Sequence, residues 1–121
     1  MDTRVRSGNI DMQTCIANCM RCHGFCLKSA SHCLKIERDL EPVATLLVCA
    51  DVCRVCADTM IRGSALHAVL CDACAKICSK CADACESADN DPLLKECAAA
   101  CLVCADCCAV MASQALAGQA A

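Results

Sequence analysis

Eighteen cysteines in 121 residues are the groups of this chain that could do chemistry. A thiolate is a soft donor, so cysteines brought together hold soft cations; singly activated ones are nucleophiles, and oxidised pairs staple a chain. Spacing selects among these. The cysteines fall at Cys15, Cys19, Cys22, Cys26 and Cys33; at Cys49, Cys53 and Cys56; at Cys71, Cys74, Cys78, Cys81 and Cys85; and at Cys97, Cys101, Cys104, Cys107 and Cys108. Of the fourteen gaps within these runs, twelve are three or four residues. Alternating gaps of three and four are the a and d positions of a heptad, the seam that faces the interior of a helical bundle. Cys26 to Cys33 skips one beat, at Ser29, and only Cys107 is off phase, one residue before the in-phase Cys108. Seventeen in-phase thiols point at one another. Leu, Ile or Val would pack such a seam better, and here branched residues stand beside it, as in Leu46-Leu47-Val48 and Leu102-Val103.

Residues four apart on a helix rise about 6 Å and face the same way. Pairs such as Cys15/Cys19, Cys22/Cys26, Cys49/Cys53 and Cys97/Cys101 can therefore grip one ion between two sulfurs, as can Cys53/Cys56 and Cys71/Cys74 from neighbouring turns. Two- or three-coordinate thiolate binding suits the soft monovalent Cu(I), whereas Zn(II) prefers four ligands in a tetrahedron. Charge points the same way. Four thiolates on one Zn(II) leave two negative charges in a low-dielectric core, while thiolates matched one to one with Cu(I) sum to zero. The expected capacity is on the order of one Cu(I) per Cys. Iron–sulfur clusters fit poorly, because their ligand runs wrap a cluster in loops and no Gly- or Pro-bearing loop separates these ligands.

Carrying the heptad phase past the cysteines reaches Met12, Met60, His67 and Met111. In an up-down-up-down bundle these four share one end, where the thioethers of Met12, Met60 and Met111 form a candidate door for the metal and His67 is expected to join the eighteen cysteines as a metal ligand. The other end is expected to carry Cys33, Cys49, Cys85 and Cys97. His23 and His32 are one step off phase and read more readily as satisfied or exposed side chains, with ligation as the alternative. Charged residues such as Lys35, Glu37, Asp51, Arg54, Asp72 and Lys76 fall between seam positions and read as a solvated face.

The elements that must position the thiols are helices. Twenty-two alanines favour helix, and the few Gly and Pro residues fall as punctuation. The first segment runs from about residue 9 to 38, with Asn9 or Asp11 as N-cap. The second starts at Pro42 and ends near 62; Gly63-Ser64 stops it and caps a third, 65 to 88; Asp91-Pro92 opens a fourth, 92 to 117, with a frayed tail beyond. Short connections make this an all-α, antiparallel up-down-up-down four-helix bundle with a cysteine-lined core. At this length residues 1–121 are expected to form a single domain. The formal charge of −3, the single aromatic Phe25 and the lack of a basic block argue against nucleic acid. With no apolar run of signal-peptide or membrane-spanning length, the expectation is a cytoplasmic protein with no membrane partner. There thiols stay reduced, which favours metal or redox chemistry over a disulfide framework.

The series Cys15-x3-Cys19-x2-Cys22-x3-Cys26, Cys49-x3-Cys53-x2-Cys56, Cys71-x2-Cys74-x3-Cys78-x2-Cys81-x3-Cys85 and Cys97-x3-Cys101-x2-Cys104 resembles the bacterial copper storage proteins, in their cytosolic branch, over about Met12 to Met111. The resemblance implies storage of many Cu(I) ions along the bundle interior, ingress at one end and assembly as a homotetramer. No protein that donates or collects copper is legible. An enzyme is not expected, since no Ser-His-Asp or Cys-His pairing is visible. Two alternatives are a thiol redox protein or sensor, which needs one or two distinguished cysteines and not seventeen equivalent ones, and a metallothionein-like sink for Zn(II) or Cd(II).

Overall fold

The structure, a computed structural model, describes residues 11–37, 40–88 and 90–120. Within them the chain forms four helices: α1 (Met12–Ile36), α2 (Val43–Ile61), α3 (His67–Glu86) and α4 (Pro92–Ala120). Each start has a local cause. The Asp11 carboxylate accepts from the amide of Gln13 at 3.4 Å and caps α1; Asn9, the other candidate cap, lies outside the described residues. Pro42, already helical at φ −79° and ψ −4°, presets the first turn of α2. Ser64 Oγ accepts from Leu66 N at 3.1 Å ahead of α3. Asp91 Oδ1 accepts from Leu93 N at 3.0 Å and Leu94 N at 3.3 Å, with Pro92 in the first position of α4.

The ends are equally explicit. Gly63 adopts φ 68°, its amide donating to Met60 O and that of Ser64 to Thr59 O, which together satisfy two orphan carbonyls of α2 in a Schellman motif. Glu37 closes α1 in the left-handed region, with Lys35 in the last turn opposing the helix dipole. α4 passes the stop expected near residue 117 and continues through Gly118 to Ala120. A glycine weakens a helix, yet without a left-handed turn it does not end one.

Each helix packs on its sequence neighbours and α1 closes the ring on α4. Sulfur contacts give the directions. Along α1 the partners on α4 run backwards, Cys15 with Cys108, Cys19 with Cys104, Cys22 with Cys101, Cys26 with Cys97, and α2 and α3 pair in the same antiparallel way through Cys56/Cys71 and Cys53/Cys74. The fold is the up-down-up-down bundle. Buried Ala30, Ala50, Ala57, Ala82, Ala98 and Ala105 flank the seam and let the backbones approach. The outer faces carry exposed i,i+4 pairs, Arg54 with Asp58 at 3.2 Å and Lys76 with Asp72 at 3.1 Å, which contribute little stability. Among the described residues no helix is long and apolar enough to cross a membrane.

No atom lies within 4 Å of a methyl group added at Gly63, so Gly63→Ala carries only the cost of placing a side chain in the left-handed region. Denaturant unfolding of the reduced protein should show a loss of about 1 kcal/mol; an unchanged midpoint would mean that this turn does not set the α2–α3 connection.

Candidate metal centre

All eighteen cysteines are free and buried. None is more than 3 % exposed, the most exposed being Cys107. Most of their sulfurs form a continuous column in which neighbours lie 3.5 Å apart at Cys56/Cys71, 3.6 Å at Cys22/Cys101 and Cys53/Cys78, and 4.0 Å at Cys22/Cys49. Four convergent groups stand out, the sulfurs of each within 4.8 Å of one another: Cys19/Cys56/Cys74/Cys108, Cys22/Cys26/Cys49/Cys101, Cys22/Cys53/Cys78/Cys104 and Cys15/Cys107/Cys108. Cys22 and Cys108 each belong to two groups, as a bridging sulfur must. The shared sulfurs join the groups in two pairs, and the contacts of Cys104 with Cys19 at 3.7 Å and with Cys74 at 3.9 Å link the pairs into one array.

Cys107, out of phase in the heptad, is nonetheless brought in. Its Sγ donates to Cys104 O at 3.3 Å, which swings the thiol toward Cys15 and Cys108. Phase alone cannot show this, because a short side chain just off the seam reaches the core by choosing its rotamer.

The two ends of the column differ. At one, Met60 and Met111 are buried, Met60 Sδ accepting from Cys71 Sγ at 3.9 Å, with Met12 and His67 partly exposed. His67 enters none of the thiol groups. Its Nδ1 donates to Ser64 O at 2.9 Å, a carbonyl being only an acceptor, so Nε2 is the ring atom left with a lone pair. At the other end the expected set is corrected: Cys49 stands deep in the column, 3.7 Å from Cys78, and not beside Cys33. α2 supplies Leu46 at the next seam position and α4 supplies Leu94, both fully buried, so this end is plugged by hydrocarbon. Leu46 thus lies on the seam and not beside it, whereas Leu102 and Val103 do face outward.

The off-phase histidines are clamps between helices. His23 Nδ1 donates to Ala50 O at 2.8 Å, tying α1 to α2, and His32 Nε2 donates to Asp91 Oδ2 at 2.8 Å, tying α1 to the cap of α4. Burial pushes the Asp91 carboxyl up, but the bonds from His32, Leu94 N and Leu93 N outweigh it and hold the group below its ordinary range. No pattern in the sequence couples His32 to a residue 59 positions away.

Electrostatically the column is a proton-sharing network. The Cys104 thiol is pushed up, first by its contact with Cys107, while Cys19, receiving the Cys104 hydrogen bond, is lowered despite its burial. Cys97 is lowered mainly by Cys101, then by Cys26 and Cys85, with a smaller contribution from the Ser29 hydroxyl. Neutral thiols thus stand ready to stabilise neighbouring thiolates, the form that binds metal.

Comparison with known proteins bears on this array. The sequence model of a family described as copper storage protein matches residues 8–113. A crystal structure of the Nmul_A1745 protein from Nitrosospira multiformis superposes with a TM-score of 0.79 at 33% identity, covering 85% of this chain and 95% of that one. A Cu(I)-bound copper storage protein, BsCsp3, superposes with a TM-score of 0.78 at 30% identity, covering 83% of this chain and 96% of that one. The cysteine-rich protein YhjQ of Bacillus subtilis is 31% identical over 82 residues, 64% of this chain and 68% of its own.

Burial of every thiol makes a kinetic prediction. Under reducing, metal-free conditions iodoacetamide should label the native protein at least about a hundredfold more slowly than the denatured chain, in which all eighteen thiols react. Mass spectrometry of the labelled protein reads this directly, and rapid modification of most thiols in the native state would contradict the closed column.

Proposed function

The chain belongs to the copper storage protein family, and from that premise we propose that it stores many Cu(I) ions as a thiolate array along the bundle interior, all eighteen cysteines serving as ligands. The observation that carries this reading is the continuity of the sulfur column, with Cys22 and Cys108 each shared between two groups. Shared sulfurs suit bridged ions, and bridging lets charge cancel. One Cu(I) per thiolate leaves the core neutral, whereas isolated M(II)S4 units leave two negative charges each in a medium that penalises them heavily. One of the solved structures above, a Cu(I)-bound copper storage protein, supports the same ion.

In this reading Met12, Met60, Met111 and His67 form the door. Thioethers bind Cu(I) as neutral ligands more weakly than thiolates do, so they pass an ion to Cys15, Cys71, Cys107 and Cys108. The Leu46 and Leu94 plug gives the column one open end. His67 is poised to take part through Nε2, its other nitrogen being fixed on Ser64 O. We assign the protein no catalytic role, place it in the cytoplasm where thiols stay reduced, and take residues 1–121 as one storage domain that assembles as a homotetramer.

A specific feature favours a second reading. Tetrahedral zinc with Zn–S near 2.3 Å sets its sulfurs roughly 3.8 Å apart, and the four-thiol groups have nearly that spacing, as at Cys53/Cys104, 3.9 Å apart. Three of the four groups also contain four thiols. A sink for Zn(II) or Cd(II) would fill those three sites, two of them joined only through the shared Cys22.

Anaerobic titration of reduced protein against a Cu(I) chelator separates the two. Storage predicts uptake of about one ion for each of the eighteen thiols, with about one proton released per ion and weaker binding as pH falls. Saturation at about three to five ions, close to the number of four-thiol groups, would favour the divalent sink. With Met12, Met60 and Met111 all changed to Leu, the same titration should show slower loading to an unchanged endpoint; unaltered kinetics would remove the door.

A further inference from the structure

The two leucines that close the far end of the column are held in different ways. Leu46 and Leu94 are both fully buried. Helix α2, which carries Leu46, starts at Pro42 with no hydrogen bond from a capping side chain. Helix α4, which carries Leu94, starts on the buried Asp91, whose carboxylate is bonded on two sides. Its Oδ1 accepts from Leu93 N at 3.0 Å and from Leu94 N at 3.3 Å, fixing the first turn of α4. Its Oδ2 accepts from His32 Nε2 at 2.8 Å, fixing that turn against α1.

The place of this bond gives it a use beyond joining two helices. Cys33 is the last cysteine of α1, Cys85 the last of α3 and Cys97 the first of α4, so in the antiparallel bundle these thiols share the end that Leu46 and Leu94 close. His32 is the neighbour of Cys33, and Leu94 stands one turn before Cys97. Fraying begins at a helix start, where the first amides lack partners within the helix. Fraying of α4 by a single turn would withdraw Leu94 and open the column at the end away from Met60 and Met111. The Asp91 side chain opposes this, since it is almost fully withdrawn from water and keeps partners for both oxygens only while the turn is docked. The other clamp has no such reach: His23 donates to Ala50 O, a backbone group within α2, and touches neither plug nor helix start.

We propose that His32 and Asp91 are positioning residues for metal retention: their hydrogen bond is a latch that holds the Leu94 turn over the far end and keeps that end shut. The inference rests on the storage reading for what is retained, while the closure itself is a property of the empty protein. Latched, the column exchanges ions at its thioether end alone. Unlatched, it gains a second opening beside Cys33, Cys85 and Cys97.

The test compares the reduced wild-type chain with His32→Ala, His32→Gln, Asp91→Ser and His23→Ala. In the first arm the empty protein is labelled with iodoacetamide to low conversion, and mass spectrometry reads each cysteine. His32→Ala should raise labelling of Cys33, Cys85 and Cys97, relative to Cys15, Cys71 and Cys107 at the door, by about tenfold, the effect of one lost hydrogen bond on a local opening. Asp91→Ser, which keeps the helix cap but is too short to reach the imidazole, should do the same. His32→Gln, whose amide puts a donor where Nε2 stood, should restore the wild-type ratio, and His23→Ala, which removes an equally short bond elsewhere, should leave it unchanged. In the second arm, protein loaded anaerobically with Cu(I) is challenged with a Cu(I) chelator. His32→Ala and Asp91→Ser should release their ions several times faster than wild type, with the number bound unaltered. An equal rise at both ends, a ratio that His23→Ala raises as much as His32→Ala, or no rise at all would reduce the bond to an ordinary helix clamp and overturn the latch. Wild-type protein that takes up only a few Cu(I) ions would overturn the storage reading and leave the first arm, which uses no metal, to decide the latch.

Discussion

Sulfur packed against sulfur is the contact on which this bundle depends. A cysteine side chain is short, so four helices can meet over a cysteine seam only if their backbones approach closely, and the flanking buried alanines allow that. The resulting core is thin, with Leu46 and Leu94 the largest side chains fully withdrawn from solvent. Every property that follows, from the closed column to its proton sharing, comes from placing polarisable, ionisable groups where a bundle normally places branched hydrocarbon.

That substitution separates the energetics of the empty and occupied states. Without metal, burial opposes ionisation and the thiols share protons through weak S–H···S contacts. With metal, each proton is exchanged for a cation that several sulfurs can share, and the charge that low dielectric would penalise is cancelled within the array. A lone buried thiolate site would depend on one geometry. A column in which Cys22 and Cys108 each serve two groups spreads occupancy over many overlapping arrangements. The two ends differ in chemistry, with hydrocarbon at Leu46 and Leu94 and soft thioethers at Met60 and Met111.

Much of this was legible in the heptad phase, because period and packing are the same physical fact in a helix. The a/d rhythm brought the in-phase cysteines to one column and placed Met60 and Met111 in its core. What it could not give was depth and rotamer. Cys49 was expected at the far end, but α2 enters the core one seam position earlier with Leu46, so Cys49 sits beside Cys22 and Cys78. Cys107 was out of phase, yet its bond to Cys104 O turns it inward. The His32–Asp91 clamp joins residues far apart in the chain through a helix cap, and neither periodicity nor composition encodes such a pairing. His67 followed the phase to the correct end, but its ring is held by Ser64 O outside the thiol groups.

The central claim is that sulfur, and nothing else in appreciable share, surrounds the stored ions. X-ray absorption at the copper K edge, measured on anaerobically loaded protein, tests this most directly. The account predicts monovalent copper with a first shell of about two to three sulfurs per ion and a copper–copper distance from bridging. A first shell dominated by nitrogen or oxygen, or copper atoms with no copper neighbour, would contradict it.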